Sequence, residues 1–425
     1  MDIAGKSTLA DLIERRNRAL GAGAQLFYDT PLHIVRGEGV WLYDPDGRRY
    51  LDMYNNVPCV GHAHPAVVEA MARQQATLNT HNRYLHEGII AFAERLIALH
   101  GPQIESVVFA CSGTEAIEIA LRMARFATGK RGIVGTNATY HGNSELVGAL
   151  TRTGEGQPRD PDLRTFPFPQ SYRPPTDVEA YLAELDAAIA SLEASGSGLA
   201  ALIVCPIFAN EGLPDVPPKF MARAAERVRA AGGLVIADEV QAGYGRTGQW
   251  WGYGLAGFTP DIVVSGKPMG AGLPLSAAAA SRALVEGFRA QTRYFNTFAS
   301  SPLQAAVGMA VLDVIEGEGL IANAGAVGAA LKAELKARTD TSPFIGDVRG
   351  SGLFLGIEMV ADKAGKAPDR ARAVWLVNRL KDLGFLTSNA GAAGNVVKIR
   401  PPLVFSHDHA AQFLTAWDQA VAELR

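Results

Sequence analysis

The stretch that most limits what this chain can fold into runs from Gly232 to Lys267, opening GGLVIADEVQAGYGRTGQ and closing PDIVVSGKPMGAGLP. Its apolar runs at Leu234–Ala237 and Ile262–Val264 have the length and β-branched content of buried strands. Each is followed by a residue that is costly to bury, Asp238 after the first and Lys267 after the second. In an open α/β sheet, residues just past the carboxyl ends of parallel strands line the ligand crevice. The two strands therefore carry a carboxylate and an amine to one crevice.

The surrounding pattern agrees with such a sheet. From about 105 to 300, apolar runs at Val107–Ala110, Ile133–Val134 and Leu202–Cys205 join the two above, separated by helical stretches that include 178–194 and 216–231. This alternation predicts an α/β fold with a mostly parallel, doubly wound sheet. The Pro-, Arg- and Gly-rich stretch 151–176 reads as a surface excursion. Before the sheet come an amphipathic helix over Ser7–Leu20, a hairpin turning at Asp44-Pro45-Asp46-Gly47, and a helix with Pro65 in its first turn. Gly5-Lys6-Ser7 resembles the tail of a phosphate loop, but it lacks the leading glycine and the strand, so it is read as chance.

After about 305 the pattern changes to helices at 304–316 and 322–338, strands at 347–360 and 395–405, a helix at 369–384 between those strands, and a last helix from about 408. This α+β lobe could share a sheet with residues 30–60. The expected division is a small domain from 1–60 and 319–425, and a large domain from 61–318.

Composition removes several function classes. Of the 425 residues 48% are apolar, enough for a large core, and the net charge of −3 comes without a basic or acidic block. Neither nucleic acid nor a membrane surface is an expected partner. Cys59, Cys111 and Cys205 form neither a disulfide framework nor a metal spacing, and His62-x-His64 has no third ligand nearby, so no metal is expected. With no signal-peptide pattern and no apolar run of spanning length, the expected location is the cytoplasm.

A carboxylate and an amine in one crevice suit pyridoxal 5'-phosphate. Its aldehyde forms a Schiff base with a lysine, and its ring nitrogen needs a carboxylate to stay protonated. Cys111-Ser112-Gly113-Thr114-Glu115-Ala116 follows a strand and opens an amphipathic helix, with Ser112 and Glu115 spaced as a capping box. Such a helix start binds phosphate through free amides and the helix dipole.

Asp238-Glu239-Val240-Gln241, Ser265-Gly266-Lys267, the Ser112 stretch, Tyr140-His141-Gly142, Asn296-Thr297-Phe298 and Gly245-Arg246-Thr247-Gly248 occur together. In this combination the chain resembles the class III (ω-) aminotransferase family of fold type I pyridoxal-phosphate enzymes, over nearly its whole length. The resemblance implies that Ser112, Gly113 and Thr114 hold the cofactor phosphate, together with Thr297 of the neighbouring subunit in an obligate homodimer. It places Tyr140 and Val240 on opposite faces of the ring, with His141 beside them. Asp238 would meet the ring nitrogen, Gln241 the ring hydroxyl, and Lys267 would be both the Schiff-base lysine and the general base.

Outside the cofactor shell, Arg400 in VVKIRPPLVF stands where the family places a carboxylate-binding arginine, and Tyr54, Trp251 and Arg83 are further substrate-site candidates. The chain departs from the family at Cys205-Pro206-Ile207, where a Glu-Pro-(Val/Ile) triplet is usual and the glutamate can pair with the arginine. That departure favours pyruvate over 2-oxoglutarate as partner. The segment Tyr50–Leu96 resembles a branch holding alanine–glyoxylate-like aminotransferases and ethanolamine-phosphate phospho-lyases. The eukaryotic phospho-lyases it resembles carry lysine at the Arg400 position. The balance therefore favours amino transfer between an amine and a 2-oxo acid, with a phospho-lyase as the alternative.

A nicotinamide fingerprint is poorly matched, because Gly350-Ser351-Gly352 and Gly356 fall late and inside a strand. A non-catalytic relative would be expected to lose Lys267 or Asp238, and both are present.

Overall fold

The structure is a computed structural model describing residues 8–154, 156–340 and 342–424. Its centre is a seven-stranded sheet in the order Ser106–Ala110, Ser276–Ala280, Ile262–Ser265, Leu234–Asp238, Leu199–Val204, Gly132–Thr136 and Leu163–Phe166. Every neighbouring pair is parallel except those made by Ser276–Ala280, which runs antiparallel to both of its neighbours. Helices Gly113–Thr128, Val178–Ala194 and Phe220–Ala230 bury apolar faces against it. Strands buried on both faces read as continuous apolar runs, which is why they could be found in the sequence.

Two strands departed from expectation. Leu163–Phe166 lies within the segment read as a surface excursion, yet it pairs in parallel with Gly132–Thr136 as the sheet edge. Ser276–Ala280 carries no β-branched residue, so its sequence gave no strand signal.

The two ends of the chain form a lobe of two smaller sheets. Strands Arg36–Glu38, Trp41–Tyr43 and Arg49–Asp52 form an antiparallel ribbon, and Phe385–Leu386 adds to it in parallel with Leu51–Asp52. Chain start and chain end therefore share this sheet. The other sheet is formed by Ile345–Ser351, Phe354–Met359, Val396–Ile399 and Ser388–Ala390. The expected single strand over 347–360 is in fact a hairpin turning at Gly352, whose φ of +56° suits glycine. The Leu9–Leu20 helix starts from the Thr8 cap, while Ser7 and the Gly5-Lys6-Ser7 motif lie outside the described residues.

The lobe is tied to the large sheet by buried polar contacts. Arg246 is 1% exposed and donates to Asn56 Oδ1, to the Leu353 carbonyl and to the Pro401 carbonyl. Glu358, also buried, accepts from Arg349, Arg173 and Asn395.

Candidate active site

Asp238 ends its strand in the middle of the sheet, one strand from Ile262–Ser265, and the chain continues through Gly266 to Lys267. Both residues stand at the carboxyl ends of parallel strands, as the sequence predicts. One oxygen of Asp238 accepts the Val240 amide at 3.0 Å, and the other meets His141 Nδ1 at 2.6 Å. On the far side of the imidazole, Nε2 lies 2.7 Å from the Thr139 hydroxyl. The buried His141 thus stands behind Asp238 and orients its carboxylate.

Lys267 is open to the cleft yet deep within it. Burial first, and then the charge of Arg400, push its pKa below the ordinary lysine value, against the pull of Asp238.

The helix Gly113–Thr128 begins beside this pair. Ser112 caps it by accepting the Glu115 amide at 3.2 Å, while the Gly113 and Thr114 amides have no partner among the described residues. Glu115 does not close the expected capping box. It accepts the Cys111 amide instead, with Tyr294 and Asn296 on its other oxygen. A Cβ at Gly113 would sit 3.3 Å from Val240, and one at Gly142 would strike Thr114 Oγ1 at 2.6 Å. The glycines let the strand end, the helix start and the Tyr140–Asn143 loop close around one space. Tyr140 is 37% exposed, its ring open to that space.

Free amides and a hydroxyl at a helix start, an accessible amine, and a carboxylate held by a histidine form a donor set that fits pyridoxal phosphate. The amides suit the phosphate, Lys267 the aldehyde, and Asp238 the ring nitrogen.

The profile of the family described as aminotransferase class-III matches residues 25–421. The chain belongs to the class III aminotransferase family. As a member it is an enzyme of the transaminase family and works with pyridoxal phosphate. It is 37% identical to an alanine–glyoxylate aminotransferase 2-like protein of Drosophila melanogaster, over 97% of this chain and 87% of that one. It is 32% identical to an ethanolamine-phosphate phospho-lyase homolog of Caenorhabditis elegans, over 97% and 93%. A solved phospholyase from Arthrobacter, in complex with phosphoethanolamine, superposes with a TM-score of 0.94 at 40% identity, covering 98% of this chain and all of that one.

Beside these site residues lies a cavity of about 760 Å3, lined by Tyr54, Tyr140, Arg152, Asn210, Arg370 and Lys398 among others. Tyr54 is where the sequence placed it, with its ring edge against Phe27 and near the charges of Lys398 and Arg400. Arg400 is buried behind this wall. It donates through Nε to the Tyr54 carbonyl at 3.0 Å and through Nη1 to Gln241 Oε1. Its side-chain partner is therefore Gln241. Cys205 is buried in an apolar cluster with Ala209, Leu213 and Phe354. Gln241 also donates to Asn210 Oδ1 at 3.3 Å.

Lys398 was not expected in the site. Val396–Ile399 is a strand, so Lys398 and Arg400 share a face at spacing two, and that period was the signal available in the sequence. Lys398 is 7% exposed and has no hydrogen bond or ion pair among the described residues. Burial, followed by Arg400, Lys267 and Arg152, pushes its pKa well below the usual lysine value.

The structure does not bring Trp251 or Arg83 to the cavity, and Thr297, expected to serve a neighbouring subunit, is not tested by a single chain. Trp251 is a core residue, 4% exposed, stacked on His100 and donating to the Leu99 carbonyl; an indole with a satisfied N–H packs well there. Arg83 lies over the Phe295 ring, away from the cavity, where the aromatic face attracts its charge. Thr297 is exposed, in a loop that Asn296 ties to Glu115. His62 pairs with Asp52 at 2.7 Å, while His64 caps the Pro65–Thr77 helix and meets Glu318. No cluster of three metal-ligating side chains occurs among the described residues, nor does any helix long and apolar enough to cross a membrane.

Proposed function

We propose that this enzyme is a phospho-lyase built on the aminotransferase frame, acting on a short primary amine that ends in a phosphate, such as ethanolamine phosphate. The observation that carries this reading is Lys398, a buried amine on the cavity wall with no acidic partner. Holding a proton on a buried, unpaired amine is costly, and an arriving anion removes that cost by pairing with the charged form. The likeness to the Arthrobacter phospholyase lends support.

In this reading Ser112, Gly113 and Thr114 would hold the cofactor phosphate, with Thr297 of a second subunit. Tyr140, Val240 and Gln241 would hold the ring, and Asp238, oriented by His141, would keep its nitrogen protonated. Bound there, the cofactor supplies an electron sink next to the amine-bearing carbon. Lys267 Nζ takes the proton from that carbon, and its lowered pKa keeps more of it in the neutral, basic form. Lys398 faces the far end of the substrate and balances the charge of the phosphate, which leaves with the electron pair of the broken C–O bond; water then releases the remaining carbon fragment as an aldehyde and its nitrogen as ammonia. The test is phosphate release from phosphoethanolamine with no oxo acid present. No release above the rate without enzyme would refute the proposal.

Amino transfer to a 2-oxo acid is the second reading, and Arg400 favours it. Its Nη2 has no partner among the described residues, so it can receive a carboxylate. Pyruvate is preferred to 2-oxoglutarate, because Cys205 stands where the family's glutamate would alternate with that carboxylate. The working form is an obligate homodimer in the cytoplasm, with residues 1–60 and 319–425 as its small domain and 61–318 as its large one. A sedimentation mass of one chain would refute the dimer.

A further inference from the structure

We infer that Arg152 is the second cation of the phosphate cradle, reaching the substrate from the large sheet while Lys398 reaches it from the terminal lobe. This rests on the phospho-lyase reading and adds the residue that selects a phosphate over a carboxylate.

The local backbone supports the assignment. Arg152 has a φ of +48°, in the left-handed region that side chains other than glycine, asparagine and aspartate rarely adopt. Such backbone conformations persist only where the surroundings over-determine them, and they cluster at ligand sites. Here the surroundings are the loop that carries Tyr140 and His141. The Arg152 amide donates to the Thr139 carbonyl at 3.0 Å, the Gly154 amide to the Asn137 carbonyl at 3.0 Å, and Thr151 Oγ1 to the Gly142 carbonyl at 3.5 Å. The turn that bears Arg152 is thus fastened to the segment that bears the ring-facing tyrosine.

The side chain is placed for an anion. It lines the same cavity as Lys398 and makes no hydrogen bond or ion pair among the described residues. The two charges lie close enough for Arg152 to lower the pKa of Lys398. Arg370 also lines the cavity, but of the two arginines Arg152 is the one whose charge acts on Lys398; these two like charges repel, and a dianion between them turns that repulsion into two attractions. A planar guanidinium can also take two phosphate oxygens at once. A monoanionic carboxylate gains less from the second cation, and Arg400 already serves it.

The test compares wild type with Arg152→Gln and Arg152→Lys as holoenzymes. With phosphoethanolamine, Arg152→Gln should raise KM roughly ten- to a hundredfold, the scale of one charge-assisted hydrogen bond, with kcat nearly kept. Arg152→Lys should recover part of the loss. The kcat/KM ratio of phosphoethanolamine to L-alanine should fall by the same factor as kcat/KM for phosphoethanolamine. An unchanged ratio overturns the assignment.

If wild type releases no phosphate from phosphoethanolamine, the phospho-lyase reading falls and inorganic phosphate decides for Arg152. Competitive inhibition of alanine conversion that weakens in Arg152→Gln keeps the cradle. Inhibition that is absent, or equal in both proteins, removes it.

Discussion

Replacing Lys398 by methionine keeps most of the side-chain volume and removes the charge. In the ligand-free cavity that charge is buried, lacks an acidic partner and has Arg400, Lys267 and Arg152 around it. Replacing buried ion pairs by apolar groups of similar volume is often neutral or stabilising by about 1–4 kcal/mol, and a lone charge, without the pair's attraction, falls at the stabilising end. At roughly 2.1 cal/mol/K per residue, 425 residues give an unfolding entropy of about 0.9 kcal/mol/K, so Lys398→Met should raise Tm by about 1–4 °C. The sign follows from linkage. The folded pKa lies below the unfolded value, so between the two the unfolded chain binds more protons and stability rises with pH. The cost is fully present below the lowered folded pKa and fades as pH rises toward the ordinary value of about 10.4. The gain from Lys398→Met should therefore be largest at low pH.

Inorganic phosphate should reverse the order of stability by pairing with the lysine. Thermal unfolding of both holoenzymes, with and without phosphate, measures this, and phosphate should raise Tm in wild type more than in the variant. The variant should also lose kcat/KM for phosphoethanolamine. A lower Tm for Lys398→Met, or an equal phosphate response in both proteins, would refute the reasoning.

Lys267→Ala should abolish turnover of every amine while leaving circular dichroism and oligomer mass unchanged, and residual activity would reassign the base. Asp238→Asn should retain cofactor but lose on the order of 10²- to 10³-fold in kcat, the scale of one preorganised electrostatic partner; a near-normal rate would remove its role at the ring nitrogen. Glu358→Ala leaves Arg349 and Arg173 without their buried carboxylate and should cost about 3–5 kcal/mol in denaturant unfolding. Burial raises the Glu358 pKa, but Arg349 and Arg173 outweigh it and hold the value below that of an ordinary glutamate. The stability Glu358 contributes is thus present above about pH 4.3 and lost as pH falls through the lowered folded value, and Glu358→Gln should flatten that acid limb.

The sequence made the sheet centre legible because Leu234–Asp238 and Ile262–Ser265 are buried on both faces and so appear as unbroken apolar runs. The same rule missed Ser276–Ala280, where small alanines fit beneath a helix but carry no strand preference. It also missed Leu163–Phe166, an edge strand of four residues within proline-rich flanks. Asp238, Lys267 and the Ser112 helix start were readable because their chemistry falls at element ends. Arg400 was read as a single arginine, although the strand period puts Lys398 on its face. Trp251 could not be placed, because an aromatic residue beside a pocket and one beneath it look alike in sequence. Arg152 depends on a left-handed turn that only the folded loop creates.

The measurement that tests the central claim most directly is a single turnover of excess holoenzyme with phosphoethanolamine, following phosphate release and the visible absorbance of the lysine-bound cofactor together, with L-alanine as the parallel reaction. The account predicts one phosphate released per substrate and full return of the original absorbance without any oxo acid. Conversion to a stable aminated cofactor with no phosphate released, reversed by pyruvate, would contradict it and establish amino transfer as the reaction.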